Sequence, residues 1–206
     1  MRFEEWEPHY ERILAYFCFE REGDERAARV LGSLLARDDL PLLENLCRNQ
    51  EVTVCGNAPC LSGQLGLIRG HVFAADAAAD VLVAHGIRPH AVFTDLDGAD
   101  DFFLDINRKG TIMVIHAHGD NIPLLRSWVP RFEGPVVGTT QGPPLPNVHN
   151  FGGFTDGDRA VFAADEMGAS AIHIIGFDLD DPSVDPVKRG KLHLARELLA
   201  ILGYEC

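Results

Sequence analysis

Short apolar runs alternate with amphipathic segments along the chain from residue 51 onward. Seven runs rich in β-branched and aromatic residues predict strands, at residues 52–55, 72–75, 91–94, 112–116, 136–139, 172–177 and, more weakly, 148–151. Between them, apolar residues recur with the helical period of about 3.6 residues, which predicts helices over residues 77–85, 102–108, 122–129 and 159–167. Strands of nearly continuous apolar character, separated by single helices, indicate a mostly parallel sheet covered by helices on both faces. The sequence therefore predicts a Rossmann-like α/β domain over residues 51–206.

Residues 1–50 show a helical pattern instead. Six apolar side chains are spaced so that they share one helix face: Phe3, Trp6, Tyr10, Ile13, Leu14 and Phe17. Two further helices are predicted over residues 25–37 and 41–48. We expect this helical N-terminal region to pack on the main domain through its apolar stripe. An aromatic wall over a flat substrate is the alternative.

Composition and charge narrow the class of protein. The 206 residues are 46% hydrophobic and 24% charged, as in ordinary globular proteins. The 31 acidic residues outnumber the 18 basic ones, so the net charge of −13 argues against a nucleic-acid partner. The apolar runs fall far short of the roughly 20 residues of a membrane span, and the acidic N-terminus does not resemble a secretory signal. We expect a cytoplasmic protein with small-molecule partners. The sequence is also compatible with a homo-oligomer.

The cysteines are odd in number and scattered, without a C-x-x-C pair: Cys18, Cys47, Cys55, Cys60 and Cys206. This pattern predicts reduced thiols, because a disulfide framework or a structural zinc site needs paired, regularly spaced cysteines.

Acidic residues follow two of the predicted strands, at the edge where an α/β sheet binds its ligands. The second strand ends at Asp76, and the third is followed by Asp95, Asp97 and Gly98. In an extended chain residues i and i+2 point to the same side, so Asp95 and Asp97 would place two carboxylates in one crevice. Like charges this close are costly unless a cation lies between them. Magnesium, which favours carboxylate and phosphate oxygens, is the predicted ion, and two solvated aspartates in a turn are the alternative.

Other strand ends supply candidate contacts to phosphates. They are Gly56, Asn57 and Pro59 in the small-residue loop after the first strand, His118, Asp120 and Asn121 after the fourth, Thr139, Thr140 and Gln141 after the fifth, and Lys188 and Lys191 after the last. Backbone N–H groups, imidazoles and ammonium groups in such positions suit anionic ligands. Ordinary turn chemistry, a zinc site built on His116 and His118, and a solvated helix start at the lysines are the alternatives.

Thr155, Asp156 and Asp158 precede an apolar helical segment. Thr155 as the N-cap with Asp158 three residues later is a helix start in its own right. Asp156 and Asp178, which follows the last strand, are candidate substrate ligands.

Taken in order, these segments resemble the archaeal 6-hydroxymethyl-7,8-dihydropterin diphosphokinase family of the methanopterin pathway. The resemblance is carried by residues 56–61, 94–98, 116–121, 138–141, 151–160 and 176–178, together with Lys188 and Lys191. It implies a Rossmann-like fold, and a transfer of the terminal diphosphate of ATP to the hydroxymethyl group of a reduced pterin with release of AMP. One departure is that Ala58 and Cys60 replace the second glycine and the serine of the family's first loop, G-x-G-P-S-L. A close approach of this loop to phosphate is therefore not implied.

The resemblance also implies roles for the strand-end residues. Asp95 and Asp97, with Asp76, would hold Mg²⁺, and Asp120 would be a further metal ligand or would accept the substrate proton. The phosphate contacts would come from His118, Asn121, Lys188 and Lys191. A carboxylate that accepts from a ring N–H and the 2-amino group together would recognise the pterin, and Asp156 is its first candidate.

Two other functions stay open at this point. Residues 93–98 also resemble the nucleophile strand of haloacid dehalogenase-type phosphatases, in which Asp95 would attack phosphorus and Asp97 would protonate the leaving group. The late position of the motif, Ala99 in place of a threonine, and Lys188 after the acidic pair of residues 180–181 disfavour that function. A nucleotide or pterin sensor without turnover would not need Asp95, Asp97 and Asp120 together.

Overall fold

Seven parallel strands form one sheet in the computed structural model, which describes residues 1–204. The strands are β1 (Glu51–Cys55), β2 (His71–Ala75), β3 (Ala91–Thr94), β4 (Ile112–Ala117), β5 (Val136–Thr140), β6 (Val148–His149) and β7 (Ala171–Ile175). Their order across the sheet is β6-β5-β4-β3-β2-β1-β7, and every neighbouring pair is parallel. The predicted Rossmann-like α/β class is confirmed.

Helices precede, connect and follow the strands within the described residues. They are α1 (Phe3–Phe17), α2 (Arg21–Leu34), α3 (Leu40–Cys47), α4 (Leu61–Gln64), α5 (Ala78–Ala84), α6 (Asp101–Arg108), α7 (Ile122–Trp128), α8 (Asp156–Glu166) and α9 (Pro186–Ile201), with short 3₁₀ turns at Leu65–Leu67 and Val129–Arg131. Helix α9 was predicted only as a possible helix start. It begins where the Asp185 carboxylate accepts from the N–H groups of Val187 and Lys188, and Pro186 suits the first helical position.

The two faces of the sheet carry different helices. Helices α4 to α7 pack on one face with α2, because successive right-handed crossovers in one direction place their helices on the same side. From β6 at one edge the chain must return to β7 at the opposite edge, and α8 makes this return across the other face, where it packs with α3 and α9. Strands β2 to β6 therefore lie to one side of β1 and β7 to the other. The carboxyl ends of β1 and β7 form the topological switch point at which such sheets bind ligands.

The N-terminal helices are packed on this framework. Trp6, Tyr10 and Ile13 of α1 are buried against Phe162 of α8 and Leu198 of α9. The apolar stripe therefore belongs to the protein core, and Trp6 and Tyr10 are covered by the protein itself. The division of the chain at residue 50 stays a prediction.

The described residues also bear on the predictions about membrane spans and cysteines. No helix in residues 1–204 is long and apolar enough to cross a membrane. Cys18, Cys47, Cys55 and Cys60 are unpaired in the structure, and Cys206 lies outside the described residues, so the reduced state of the five thiols stays a prediction. The cytoplasmic location and the homo-oligomeric state stay predictions.

Candidate functional site

The loops after β1 and β7 touch each other at the switch point. Gly56 N–H donates to Ile175 O at 2.9 Å, and Ala58 N–H donates to Gly176 O at 2.8 Å. A β-carbon on Gly56 would lie 2.5 Å from Gly176 O and 2.7 Å from the Phe177 ring, so only glycine allows this approach. The close contact of the two loops forms the floor of a crevice.

A cavity of about 320 Å³ opens above this floor, at the lower end of the size range of ligand pockets, roughly 300–1,000 Å³. Several residues predicted from the sequence line it: Gly56, Asn57, Pro59, Asp76, Asp156, Asp178 and Lys188. The structure thus brings together predicted residues from β1, β2, α8, β7 and α9.

Three aspartates at the ends of β2 and β3, Asp76, Asp95 and Asp97, form what we call the acid cluster. Thr94 Oγ1 donates to Asp76 Oδ1 at 2.7 Å, and Asp97 N–H donates to Asp95 Oδ1 at 2.9 Å. Asp76 and Asp95 are partly buried, whereas Asp97 is exposed. The first bond joins the ends of β3 and β2, and the second lies within the turn after β3.

The backbone between the two aspartates is not extended, so the predicted reason for their proximity is wrong. Leu96 has φ +69°, in the left-handed region, and its side chain is fully buried. Its N–H donates to Thr94 Oγ1 at 2.9 Å. A tight turn therefore joins Asp95 and Asp97, and a branched residue in this conformation is backbone strain of the kind found at functional sites.

The two carboxylates at the centre of the acid cluster have opposite pKa shifts. Burial raises the pKa of Asp76, and the charges of Asp95 and Asp97 add to this effect. Burial acts in the same direction on Asp95, but hydrogen bonds from His118 and the Asp97 N–H, with the charges of His118 and Arg159, lower its pKa well below the usual range. Asp95 is therefore ionised at neutral pH in a crowded acidic site.

The loop after β4 supports Asp95. His118 Nε2 lies 3.5 Å from Asp95 Oδ2. The buried Asn121 amide donates to Asp95 O at 2.8 Å and His116 O at 2.7 Å, and its Oδ1 accepts from the His118 N–H. Both amide protons of Asn121 are thus engaged with backbone oxygens, and this side chain fastens the loop to the end of β3. Asp120 is exposed in the same loop.

The predicted residues at the end of β5 lie beneath the N-terminal helices and do not line the cavity. Thr139, Thr140 and Gln141 are all buried. The Gln141 amide donates to Asp24 Oδ2 at 2.8 Å, and Asp24 also accepts from the Tyr10 hydroxyl and the Gly119 N–H. Asp24 therefore joins α1, α2, the β4 loop and the end of β5.

The first turn of α8 faces the acid cluster. Asp158 accepts from the N–H groups of Phe154 and Thr155, so the predicted capping box is present. Asp156 lies 3.4 Å from the Arg159 guanidinium. Burial raises the pKa of Asp156 to about 8, and the charges of Asp95 and Asp76 contribute while Arg159 opposes.

The two predicted lysines differ in position. Lys188 is exposed in the first turn of α9 and lines the cavity, whereas Lys191, one turn further, is only partly exposed and does not line it. Lys188 and Lys191 therefore both belong to the start of α9, and only Lys188 lines the crevice.

Sequence reasoning missed Arg159 and Asp24, and it considered His116 only as a zinc ligand. Arg159 stands three residues after Asp156 at a helix start, a spacing that places the two on one face and was a usable signal. No local pattern marks Asp24, because its three partners come from distant parts of the chain. The predicted zinc alternative has no support, since no three His, Cys, Asp or Glu side chains in residues 1–204 form a metal-binding group.

Comparison with known proteins gives a consistent result. A family model described as MptE-like 6-hydroxymethylpterin diphosphokinase matches residues 27–183. A relative from Pyrococcus furiosus, named 6-hydroxymethyl-7,8-dihydropterin pyrophosphokinase, is 42% identical, with 97% of this chain and 93% of the relative covered. Relatives with the same name from Methanothermobacter thermautotrophicus and Methanocaldococcus jannaschii are 36% and 32% identical, with 97% and 98% of this chain and 94% and 96% of the relatives covered.

Proposed function

Since the chain belongs to the family of MptE-like 6-hydroxymethylpterin diphosphokinases, we propose that it transfers diphosphate from ATP to the hydroxymethyl group of 6-hydroxymethyl-7,8-dihydropterin and releases AMP. The observation that carries this proposal is the acid cluster at the ends of β2 and β3, whose Asp76 lines the same cavity as Lys188 beside the switch point. Phosphoryl-group transfer needs charge neutralisation and positioning more than covalent chemistry by the protein.

The acid cluster fits a magnesium ion. Burial, together with the charges of Asp95 and Asp97, raises the pKa of Asp76, and a cation at this place would favour the ionised carboxylate. Residues 1–204 contain no three side chains already close enough to hold a metal ion by themselves, so substrate phosphates would supply part of the coordination, as is typical of Mg²⁺. When bound, Mg²⁺ would neutralise charge on the phosphate oxygens, with Asp76, Asp95 and Asp97 as its protein ligands.

In the proposed reaction the hydroxymethyl oxygen forms a bond to the β-phosphorus of ATP. The bond from that phosphorus to the oxygen it shares with the α-phosphate breaks, and AMP leaves with this oxygen. Lys188 and the backbone around Gly56 and Asn57 would contact phosphates, while Asp156 would bind the pterin. The low pKa of Asp95 suits a permanent anion, and Asp120 remains the proposed proton acceptor or additional metal ligand.

Product analysis tests the proposal. The protein is incubated with ATP, Mg²⁺ and either the reduced hydroxymethylpterin or thiamine, and the nucleotide product is identified. Pterin-dependent AMP is the expected result. ADP would indicate transfer of a single phosphoryl group, AMP with thiamine alone would indicate another acceptor, and free phosphate without any acceptor would indicate a phosphatase.

A further inference from the structure

Three buried polar atoms, in β4, in α8 and just after β5, have no hydrogen-bond partner among the described residues: His116 Nε2, Arg159 Nε and Gln141 Oε1. His116 is 2% exposed and Gln141 is 3% exposed, and the Arg159 side chain is 11% exposed. Orphaned buried polar atoms are uncommon in native proteins, because each costs stability. A ligand that reached these atoms would supply the missing partners.

The three residues belong to one region of the molecule. Side chains alternate along a strand, so His116, two residues after Val114, points to the face on which α8 packs. The register places Thr139 opposite His116, and Gln141 comes two residues after Thr139, just beyond the end of β5. Arg159 is close enough for its charge to act on both His116 and Asp95.

The hydrogen bonds of His116 assign its protons. Thr139 Oγ1 donates to Ile115 O at 3.2 Å, so this oxygen is left as an acceptor for His116 Nδ1 at 3.1 Å. Burial, with the charges of Arg159 and His118, lowers the pKa of His116 well below its usual value. The imidazole is therefore neutral with its proton on Nδ1, and Nε2 presents a lone pair.

The Gln141 amide is oriented in a similar way. Its nitrogen faces the Asp24 carboxylate, which can only accept, so Oε1 is the atom left without a partner. The region thus offers two acceptors, His116 Nε2 and Gln141 Oε1, and one donor, the N–H of Arg159 Nε.

This donor and acceptor set is wrong for phosphate. A phosphate brings only acceptor oxygens and negative charge, and it would meet two further acceptors and the ionised carboxylate of Asp95. A reduced pterin brings an amino group, ring N–H groups and a carbonyl oxygen. We propose that His116 Nε2 and Gln141 Oε1 accept hydrogen bonds from the amino and N–H groups of the pterin, and that Arg159 Nε donates to its carbonyl oxygen.

This inference rests on the proposed function and adds an orientation to it. The pterin ring would lie toward the ends of β4 and β5, and the phosphates would lie toward Gly56 and Lys188 at the switch point. The acid cluster at the ends of β2 and β3 stands between the two regions in the strand order.

Binding measurements that need no turnover test the inference. The intact protein is titrated by fluorescence with 6-hydroxymethylpterin and with 6-hydroxymethyllumazine, in which an oxygen replaces the 2-amino group. We expect the lumazine to bind at least about 100-fold more weakly, because an acceptor would face the acceptors of the site. Equal affinity for the two compounds overturns the inference, even when pterin-dependent AMP release is observed.

Variants attribute this preference to named residues. His116→Phe keeps a ring but removes Nε2, and we expect a roughly tenfold loss of pterin affinity, a smaller preference over lumazine and unchanged binding of a non-hydrolysable ATP analogue. His173→Phe, which changes an exposed histidine on β7, is the matched control and should leave all three values as in the parent.

A folded His116→Phe protein with the parent's affinity and preference overturns the inference. If this variant does not fold, the same measurements on Gln141→Met, together with the parent's own preference for pterin over lumazine, test the inference in its place. A parent protein that binds no pterin and releases no AMP rejects the proposed function and this inference together.

Discussion

Thr94 Oγ1 donates a 2.7 Å hydrogen bond to the carboxylate of Asp76, and this bond joins the carboxyl ends of β3 and β2. The same oxygen accepts from the N–H of Leu96, which holds the strained turn between Asp95 and Asp97. One buried hydroxyl therefore sets the arrangement of all three carboxylates.

Thr94→Val should reduce both stability and the response to magnesium. The valine leaves the Leu96 N–H without its partner, which costs about 1–3 kcal/mol for a buried group, and it removes the bond that lowers the pKa of Asp76. We expect a lower melting temperature and a higher Mg²⁺ concentration for half-maximal activity. Thr94→Ser, which retains the hydroxyl, should restore both values, and a Thr94→Val protein with the parent's Mg²⁺ response would contradict the role of this bond.

Asp95→Asn and Asp97→Asn should each lower the Mg²⁺-dependent rate about 100-fold or more, since loss of a metal ligand can remove several kcal/mol of transition-state stabilisation. Asp105→Asn, which changes an exposed aspartate paired with Arg108, is the control and should retain activity. In a phosphatase the two positions would be unequal, because Asp95 would form an aspartyl-phosphate that accumulates in Asp97→Asn. The Asp97→Asn protein is incubated with ATP, the reaction is quenched, and the intact mass is measured. We expect no phosphate adduct, and an adduct on Asp95 would reject the diphosphokinase function.

Asp156→Asn should weaken the pH dependence of stability. The pKa of Asp156 is raised to about 8 in the folded protein, against about 4 for an ordinary aspartate. The folded state thus holds a proton that the unfolded chain loses, so the contribution of Asp156 is full below pH 4 and is lost as the pH rises toward 8. Melting temperatures of the parent should fall from pH 5 to pH 8 more steeply than those of the variant. Equal slopes would show that Asp156 does not titrate in this range.

Asp156→Asn should also raise the KM for the pterin and leave ATP affinity nearly unchanged, because Asp156 can release its proton and accept two donors as a carboxylate, which an amide cannot do. Steady-state kinetics with each substrate varied in turn makes the comparison. Unchanged pterin kinetics together with an altered melting temperature would assign Asp156 to the start of α8 alone.

Lys188→Ala should weaken ATP binding more than Lys191→Ala does. Lys188 lines the cavity, and Lys191 carries the same charge on the same helix away from it, so the second variant is a matched control. Calorimetric titration with a non-hydrolysable ATP analogue should show a several-fold loss for Lys188→Ala, as expected for an exposed charge–phosphate contact. If both variants bind the analogue as tightly as the parent does, Lys188 and Lys191 are only solvated residues at the start of a helix.

Gly56→Ala should destabilise the protein by about 1–3 kcal/mol, as overpacking typically does, because the added carbon would lie 2.5 Å from Gly176 O. Gly63→Ala in α4 meets nothing within 4 Å and should be neutral or slightly stabilising. Thermal unfolding of the two variants makes the comparison. A Gly56→Ala protein as stable as Gly63→Ala would mean that the loops after β1 and β7 can separate without cost.

Periodicity was sufficient for the strands and for most of the helices, though not for α4 and α9, because the alternation of buried and exposed positions is a local property of the chain. The strand predicted at residues 91–94 agrees with β3 at both ends, and the helix predicted at 122–129 differs from α7 by one residue. The strand predicted at 172–177 ends two residues early, at Ile175, because Gly176 adopts φ +69° where the loop meets Gly56. That contact joins parts of the chain about 120 residues apart, and a local pattern does not contain it.

The acidic residues at the element ends were visible in the sequence for the same local reason. Asp76 and Asp95 directly follow predicted strands, and Asp156 precedes a predicted helix, so the ends of these predicted elements mark their positions. The placement of β7 beside β1, the return of α8 across the other face, and the burial of Asp24 against Gln141 required the folded chain. These relationships depend on which elements become neighbours in space. Burial and neighbouring charge then set the protonation of His116 and the pKa values of Asp76, Asp95 and Asp156, and both arise only when distant segments pack together.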